Sequence, residues 1–328
     1  MIVENPPVAV LNPDGSCTRF VSFPCTLPTP DQDSDTLVLS KDVTINQINK
    51  TGARIYIPKE TLTSTITSIK KLPLIVYYHA DRRVQFFGGF VLMSASATVS
   101  HDLCNQLALV LQAVVVSVDY RIAPEHRLPA AYDDGVDALN WIRSTQDPWL
   151  TDFVDYSNCY LMGTSAGASI SYHTGLHVLS RIQDFDPLNI KGLILHNLFI
   201  GGADRTESEI RLANACPYLT LSIAETLWKL SLPVGANCDH EYCNPMVSGG
   251  GLDHDVVRFK DAGCRVMMVI HDGDLMIDRQ TEFAKKLESK GVETKCFYGE
   301  GDHAVEYFDK SKAEILLQQI SSFMSSVN

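Results

Sequence analysis

Cys159-Tyr160-Leu161-Met162-Gly163-Thr164-Ser165-Ala166-Gly167 runs as a short apolar strand into Gly-x-Ser-x-Gly, and a helix-forming segment follows from Ala168 to about Leu179. A strand before and a helix after are the setting in which this motif makes a nucleophile elbow. The serine then sits on a sharp, strained turn that leaves no room for a side chain two residues to either side. Gly163 and Gly167 meet that demand. Such a turn lifts the Ser165 hydroxyl above the end of a sheet and aims the next backbone N–H, that of Ala166, at a developing oxyanion. In a chain with 20 glycines the bare pattern also arises by chance, so the rest of the chain has to agree.

Outward from the elbow, the apolar runs 71–79, 113–119, 191–196, 265–270 and 294–298 read as further strands. Helical spacing separates most of them, over 98–111, 130–143 (Val136, Leu139 and Ile142 on one face), 279–290 and 310–324. This alternation predicts an α/β fold with a mainly parallel central sheet and helices on both faces. Upstream, 19–23, 40–45 and 53–58 read as edge strands. Between Gly201 and Gly250 the strand pattern lapses, leaving helical material at 210–213 and 221–230. An excursion between two parallel strands lies over the C-terminal edge of the sheet, and this one reads as a helical cap. A single domain over 1–328 accommodates the whole, with an N-terminal segment at 1–60 and the cap at about 201–250.

The totals exclude several classes of function. A hydrophobic fraction of 45% supplies a full core, and a net charge of -12 with no basic cluster argues against nucleic-acid partners. The N-terminal residues carry no signal-like pattern, and no apolar run reaches the ~18 residues of a membrane span. The nine cysteines are scattered; Cys238 and Cys243 form the one close pair, and no further ligand completes a zinc pattern. A reduced, cytoplasmic protein is expected.

A serine nucleophile needs a base, and the base an orienting carboxylate, arriving in this setting in the order serine, acid, histidine. Asp274 follows the strand ending at Ile270, and His303 follows the strand ending at Tyr298. One helix and one strand separate them, so both reach the sheet edge that carries Ser165. Asp272 competes for the acid role, whereas Asp278 reads as the N-cap of the next helix. His173 reads as packing behind the elbow, His126 as a loop residue, and His101, His196, His240, His254 and His271 show no partner pattern that demands chemistry.

The stretch Ser117-Val-Asp-Tyr-Arg-Ile-Ala-Pro-Glu-His-Arg-Leu-Pro-Ala-Ala-Tyr-Asp-Asp134 resembles the signature of the plant carboxylesterases, in the hormone-sensitive-lipase-like branch of the α/β-hydrolases. Gly163-Thr-Ser-Ala-Gly167, Leu232-Pro-Val-Gly-Ala236, Asp239-His-Glu-Tyr-Cys-Asn-Pro245, Gly273-Asp-Leu-Met-Ile-Asp-Arg-Gln280 and Asp302-His-Ala-Val305 are similar to the same family in the same order. The likeness runs from about Val8 to the C-terminus. It implies Ser165, Asp274 and His303 as a catalytic triad and hydrolysis of small carboxylic esters without a cofactor or metal. In the cap, Leu221, Ile223, Leu227 and Trp228 are candidate walls of the substrate pocket, and equally the buried stripe of a cap helix.

One motif departs from the family. Where the family has His-Gly-Gly-Gly-Phe, this chain has His79-Ala-Asp-Arg-Arg-Val-Gln-Phe-Phe-Gly-Gly-Phe90. Residues 80–87 are inserted and one glycine of three is missing. With Ala166, the resemblance implies Gly88 and Gly89 as the oxyanion hole, provided the insertion bulges outward. Arg82 and Arg83 favour such a bulge, whereas Phe86 and Phe87 favour the pocket. Losing one donor costs on the order of 10²–10³ in turnover. The insertion therefore keeps a non-hydrolytic role open (dehydration, lactonisation or cyclisation). A binding protein resembling the gibberellin receptors is a further alternative, opposed by the presence of His303.

Overall fold

The computed structural model describes residues 9–13, 17–19, 24–63, 71–80, 82–83, 86–87, 90–91, 94–216, 218–249, 251–254 and 256–326. Eight strands make the central sheet: β1 (Val38–Asn46), β2 (Thr51–Pro58), β3 (Leu72–Tyr78), β4 (Val114–Asp119), β5 (Val154–Thr164), β6 (Ile190–His196), β7 (Arg265–His271) and β8 (Thr294–Gly299). Their order is β8-β7-β6-β5-β3-β4-β2-β1. The six strands from β3 to β8 are mutually parallel; β2 runs antiparallel to both β4 and β1.

Alternation along the strands builds two cores. Leu74, Val76 and Tyr78 of β3 face one side, and Ile75 and Tyr77 the other. The first side is covered by α2 (Ala130–Ser144), α3 (Ala166–Leu179) and α6 (Ile277–Ser289), through residues such as Leu139, Ile170 and Phe283. The second is covered by α1 (Thr98–Leu111) and α7 (Lys310–Ser325), through Leu107, Leu316 and Phe323. Burying each such side chain contributes about 1.5–3 kcal/mol.

Between β6 and β7 lie α4 (Glu207–Arg211) and α5 (Leu221–Ser231), with no strand among the described residues. The helix expected at 210–213 is displaced toward the N-terminus. Thr206 and Glu209 form a reciprocal capping box that starts α4 earlier than its apolar residues suggest. The helix after the elbow also starts early, at Ala166, and α6 begins at Ile277 rather than 279.

Two strand expectations need correction. Residues 53–58 belong to β2, which is buried between β1 and β4 and is no edge. The elbow strand begins at Val154, because Val154 and Asp155 pair with Leu72 and Pro73 ahead of a bulge. In the 19–23 run only Arg19 is described, at the end of a short strand, Cys17–Arg19; the rest lies outside the described residues.

Candidate active site

The elbow is built by close backbone approach. Ser165 sits at φ 55° and ψ -119°, a left-handed conformation that a serine adopts only when its surroundings over-determine it. A Cβ on Gly163 would overlap the backbone of Gly167, and one on Gly167 would overlap the carbonyl of Tyr78 in β3. The Ser165 N–H donates to the His196 carbonyl at 2.8 Å, so the turn is tied to the end of β6.

Three loops deliver one hydrogen-bonded line. Ser165 Oγ lies 2.8 Å from His303 Nε2, and His303 Nδ1 lies 2.7 Å from Asp274 Oδ2. All three residues are buried. Asp274 Oδ2 also accepts from Asn197 Nδ2 at 3.0 Å and Gln280 Nε2 at 2.9 Å, while Oδ1 accepts from the Met276 N–H at 3.0 Å. Burial pushes the Asp274 carboxyl up, but the His303 imidazole, with the bonds from His303, Met276 and Gln280, outweighs it and holds the group below its usual range. An imidazole so held can take the proton of a serine hydroxyl and return it to a leaving group.

The rival acids are engaged elsewhere. Asp272 Oδ1 accepts from the Gly301 N–H at 2.9 Å. Asp278 is not the N-cap of α6, which is Met276; its carboxylate instead accepts the Ser208 N–H of α4 at 2.7 Å, anchoring that helix.

Ala166 opens α3, where the amide of the first helical residue has no acceptor within the helix. Gly88 and Gly89 lie outside the described residues, as do the side chains of Arg82, Arg83, Phe86 and Phe87. The backbone of the insertion closes on itself, with Arg82–Arg83 pairing antiparallel with Phe86–Phe87. Both flanks are anchored. His79 is fully buried, stacked on Tyr120 at 4.4 Å, and its carbonyl accepts the Tyr120 hydroxyl at 2.9 Å. Phe90 is packed among Trp228 (5.6 Å), Tyr132 (6.1 Å) and Phe199 (6.5 Å).

Leu221 and Trp228 line a cavity under the excursion together with Ile200, Gly201, Ala224 and Met276. Leu227 is buried in the core and is not part of that lining, and Trp228 also stacks on Phe199 at 4.8 Å. Arg279 of α6 makes a bidentate pair with Glu209 of α4 at 2.6 and 3.0 Å, closing the base of the excursion.

Two histidines that sequence alone left without partners meet below the site. His196 Nε2 is 2.9 Å from Glu306 Oε2, and His271 Nε2 is 3.0 Å from Glu306 Oε1. Burial pushes the Glu306 carboxyl up, but the His196 charge and the bonds from both histidines hold it well below its usual range. Asn197, Gln280 and Glu306 are the contributors that sequence reasoning missed. The available signal was slight, a polar residue immediately after an apolar strand in the case of Asn197.

Comparison with known proteins agrees with this architecture. Residues 75–305 match the family described as α/β hydrolase fold. Carboxylesterase 20 of Arabidopsis thaliana is 45% identical over 97% of this chain and 95% of its own length. A 3-O-acetylpapaveroxine carboxylesterase of Papaver somniferum is 41% identical over 87% of this chain and 90% of its own. The solved esterase of Pyrobaculum calidifontis superposes with a TM-score of 0.70 at 25% identity, covering 88% of this chain and 85% of that one. The chain belongs to the α/β-hydrolase fold family and, within it, to the plant carboxylesterases.

Proposed function

We propose that this carboxylesterase cleaves small carboxylic esters through an acyl-enzyme, with Ser165 as nucleophile, His303 as general base and then acid, and Asp274 as the carboxylate that orients the imidazole. The observation that carries the assignment is the unbroken line Ser165 Oγ–His303 Nε2, His303 Nδ1–Asp274 Oδ2 at 2.8 and 2.7 Å. In the first half-reaction His303 takes the Ser165 proton as Oγ attacks the carbonyl, then gives it to the departing alkoxide. In the second, His303 deprotonates water, which attacks the acyl carbonyl and frees Ser165. The oxyanion is held by the Ala166 N–H together with those of Gly88 and Gly89. The hairpin within the insertion and its buried flanks at His79 and Phe90 support a return of these glycines to the hole.

We read residues 1–328 as one α/β-hydrolase domain in which the excursion at about 201–250 serves as the cap. Leu221 and Trp228 line its cavity and are the substrate-binding candidates; Leu227 is buried in the core. No helix among the described residues is long and apolar enough to cross a membrane. Among the described residues Cys104, Cys159, Cys216, Cys238, Cys243, Cys264 and Cys296 are free thiols, which supports a reducing, cytoplasmic setting.

The insertion itself favours a second reading, a non-hydrolytic reaction in the same pocket. Burst kinetics with p-nitrophenyl acetate and butyrate separate the two, using wild type, Ser165→Ala, and a chain whose 79–90 segment is replaced by His-Gly-Gly-Gly-Phe. Turnover by wild type that is lost in Ser165→Ala supports the esterase. Turnover only after the replacement overturns it in favour of the second reading.

A further inference from the structure

In the buried cluster beneath Asp274 the geometry fixes one amide orientation and one histidine proton. Asn197 follows β6 directly with φ 47°, a left-handed conformation that asparagine tolerates, and its amide bridges two sides of the site. Its Oδ1 accepts the Ala304 N–H at 3.0 Å, one residue beyond His303. A backbone amide only donates, so the orientation of the Asn197 amide is fixed, with Nδ2 turned to Asp274. His271 Nδ1 also lies 3.0 Å from Oδ1, and this nitrogen must therefore carry hydrogen. The opposite nitrogen of His271 meets Glu306, whose second oxygen meets His196; His196 Nδ1 in turn meets Thr164 Oγ1 at 3.1 Å, next to the nucleophile. Thr164, His196, Asn197, His271 and Glu306 are all buried, so water does not replace these partners at low cost.

We propose that His271, seated on Glu306, is a positioning residue: its Nδ1–H fixes the Asn197 amide, whose Nδ2–H holds the Asp274 oxygen that faces His303. This rests on the triad reading above. His271 touches no reacting atom and acts only through the aim of the carboxylate.

Two substitutions of His271 separate positioning from mere packing. His271→Asn keeps a donor near the Nδ1 position, toward Asn197; His271→Gln keeps one near Nε2, toward Glu306. Both lower the melting temperature. His271→Gln lowers kcat on the order of 10- to 100-fold with KM little changed, the scale of a misaimed catalytic group. His271→Asn recovers kcat to within about threefold of wild type, against that same scale. In His271→Gln the low-field proton resonance of the His303–Asp274 hydrogen bond shifts, whereas in His271→Asn it stays.

Equal losses in the two variants overturn the proposal. Ser165→Ala, assayed in the same series, must be inactive; residual turnover there refutes the triad reading instead. Where either variant does not fold, nitrogen NMR of the wild-type histidines decides. A protonated His271 Nδ1 between pH 6 and 8 supports the proposal, and a bare one overturns it. Stoichiometric zinc in the purified protein, with activity lost to a chelator, makes the cluster a metal site and also overturns it.

Discussion

The backbone N–H of Ser165 donates to the carbonyl of His196 at 2.8 Å, joining the strained turn after β5 to the end of the neighbouring strand. The strained φ of Ser165 is thus held from two sides, by this bond and by the contact of Gly167 with Tyr78. Gly167→Ala drives a methyl into the Tyr78 carbonyl, a backbone atom that cannot step aside. We expect a loss beyond the ~1–3 kcal/mol usual for overpacking, together with loss of the acyl burst. Urea unfolding checks the first, and a variant as stable as wild type contradicts the geometry.

Asp274→Asn leaves the shape of the site but cannot hold the imidazole in the working tautomer. A fall in kcat of about 10⁴ is expected, as for the equivalent change in serine proteases. Asp272→Asn removes a charge while keeping an oxygen that accepts the Gly301 N–H, and its kcat should stay within a few-fold of wild type. Steady-state hydrolysis of p-nitrophenyl butyrate ranks the two; the reverse ranking moves the acid role to Asp272.

Two buried imidazoles make stability fall in acid. Burial pushes the imidazole of His173, stacked on Tyr132, down to about 3, and that of His79 down to about 4. Unfolded, each titrates near 6.5. Below that value the unfolded chain binds protons that the native chain refuses. The stability these groups confer is therefore complete above pH 6.5 and is lost as pH falls toward 4, at ~1.4 kcal/mol per pH unit for each. His173→Phe should make this acid limb shallower by one such slope, measured by urea denaturation from pH 7 to 4.5. An unchanged limb excludes His173 as a contributor.

Glu209 and Arg279 are paired in the interior, so removing one partner strands the other charge. Glu209→Gln should destabilise by about 3–5 kcal/mol, and a Glu209→Leu, Arg279→Met double variant should recover most of it. Thermal unfolding of the three proteins gives the comparison. A double variant no better than the single one means that the pair has a role beyond its own neutralisation.

The positions of Ser165, Asp274 and His303 could be read from the chain because each lies within a few residues of the end of a strand, and strand ends on one edge of a parallel sheet converge. Asn197, Gln280 and Glu306 could not, since they act through contacts between separate elements and belong to no local period. Glu306 looks from sequence like one more acidic loop residue; only folding sets it between His196 and His271. Burial of β2 was equally hidden, because it depends on which strands flank it and not on its own residues. The start of α4 was misplaced for a third reason: a cap and an ion pair locate it, whereas its apolar face is weak.

The hairpin at Arg82–Phe87 hangs between two flanks that are already fixed in the interior. Lengthening a segment tethered in this way adds closure entropy only logarithmically, about 0.6 kcal/mol per doubling. New length can therefore be added at this segment at little cost while the sheet beneath stays as it was.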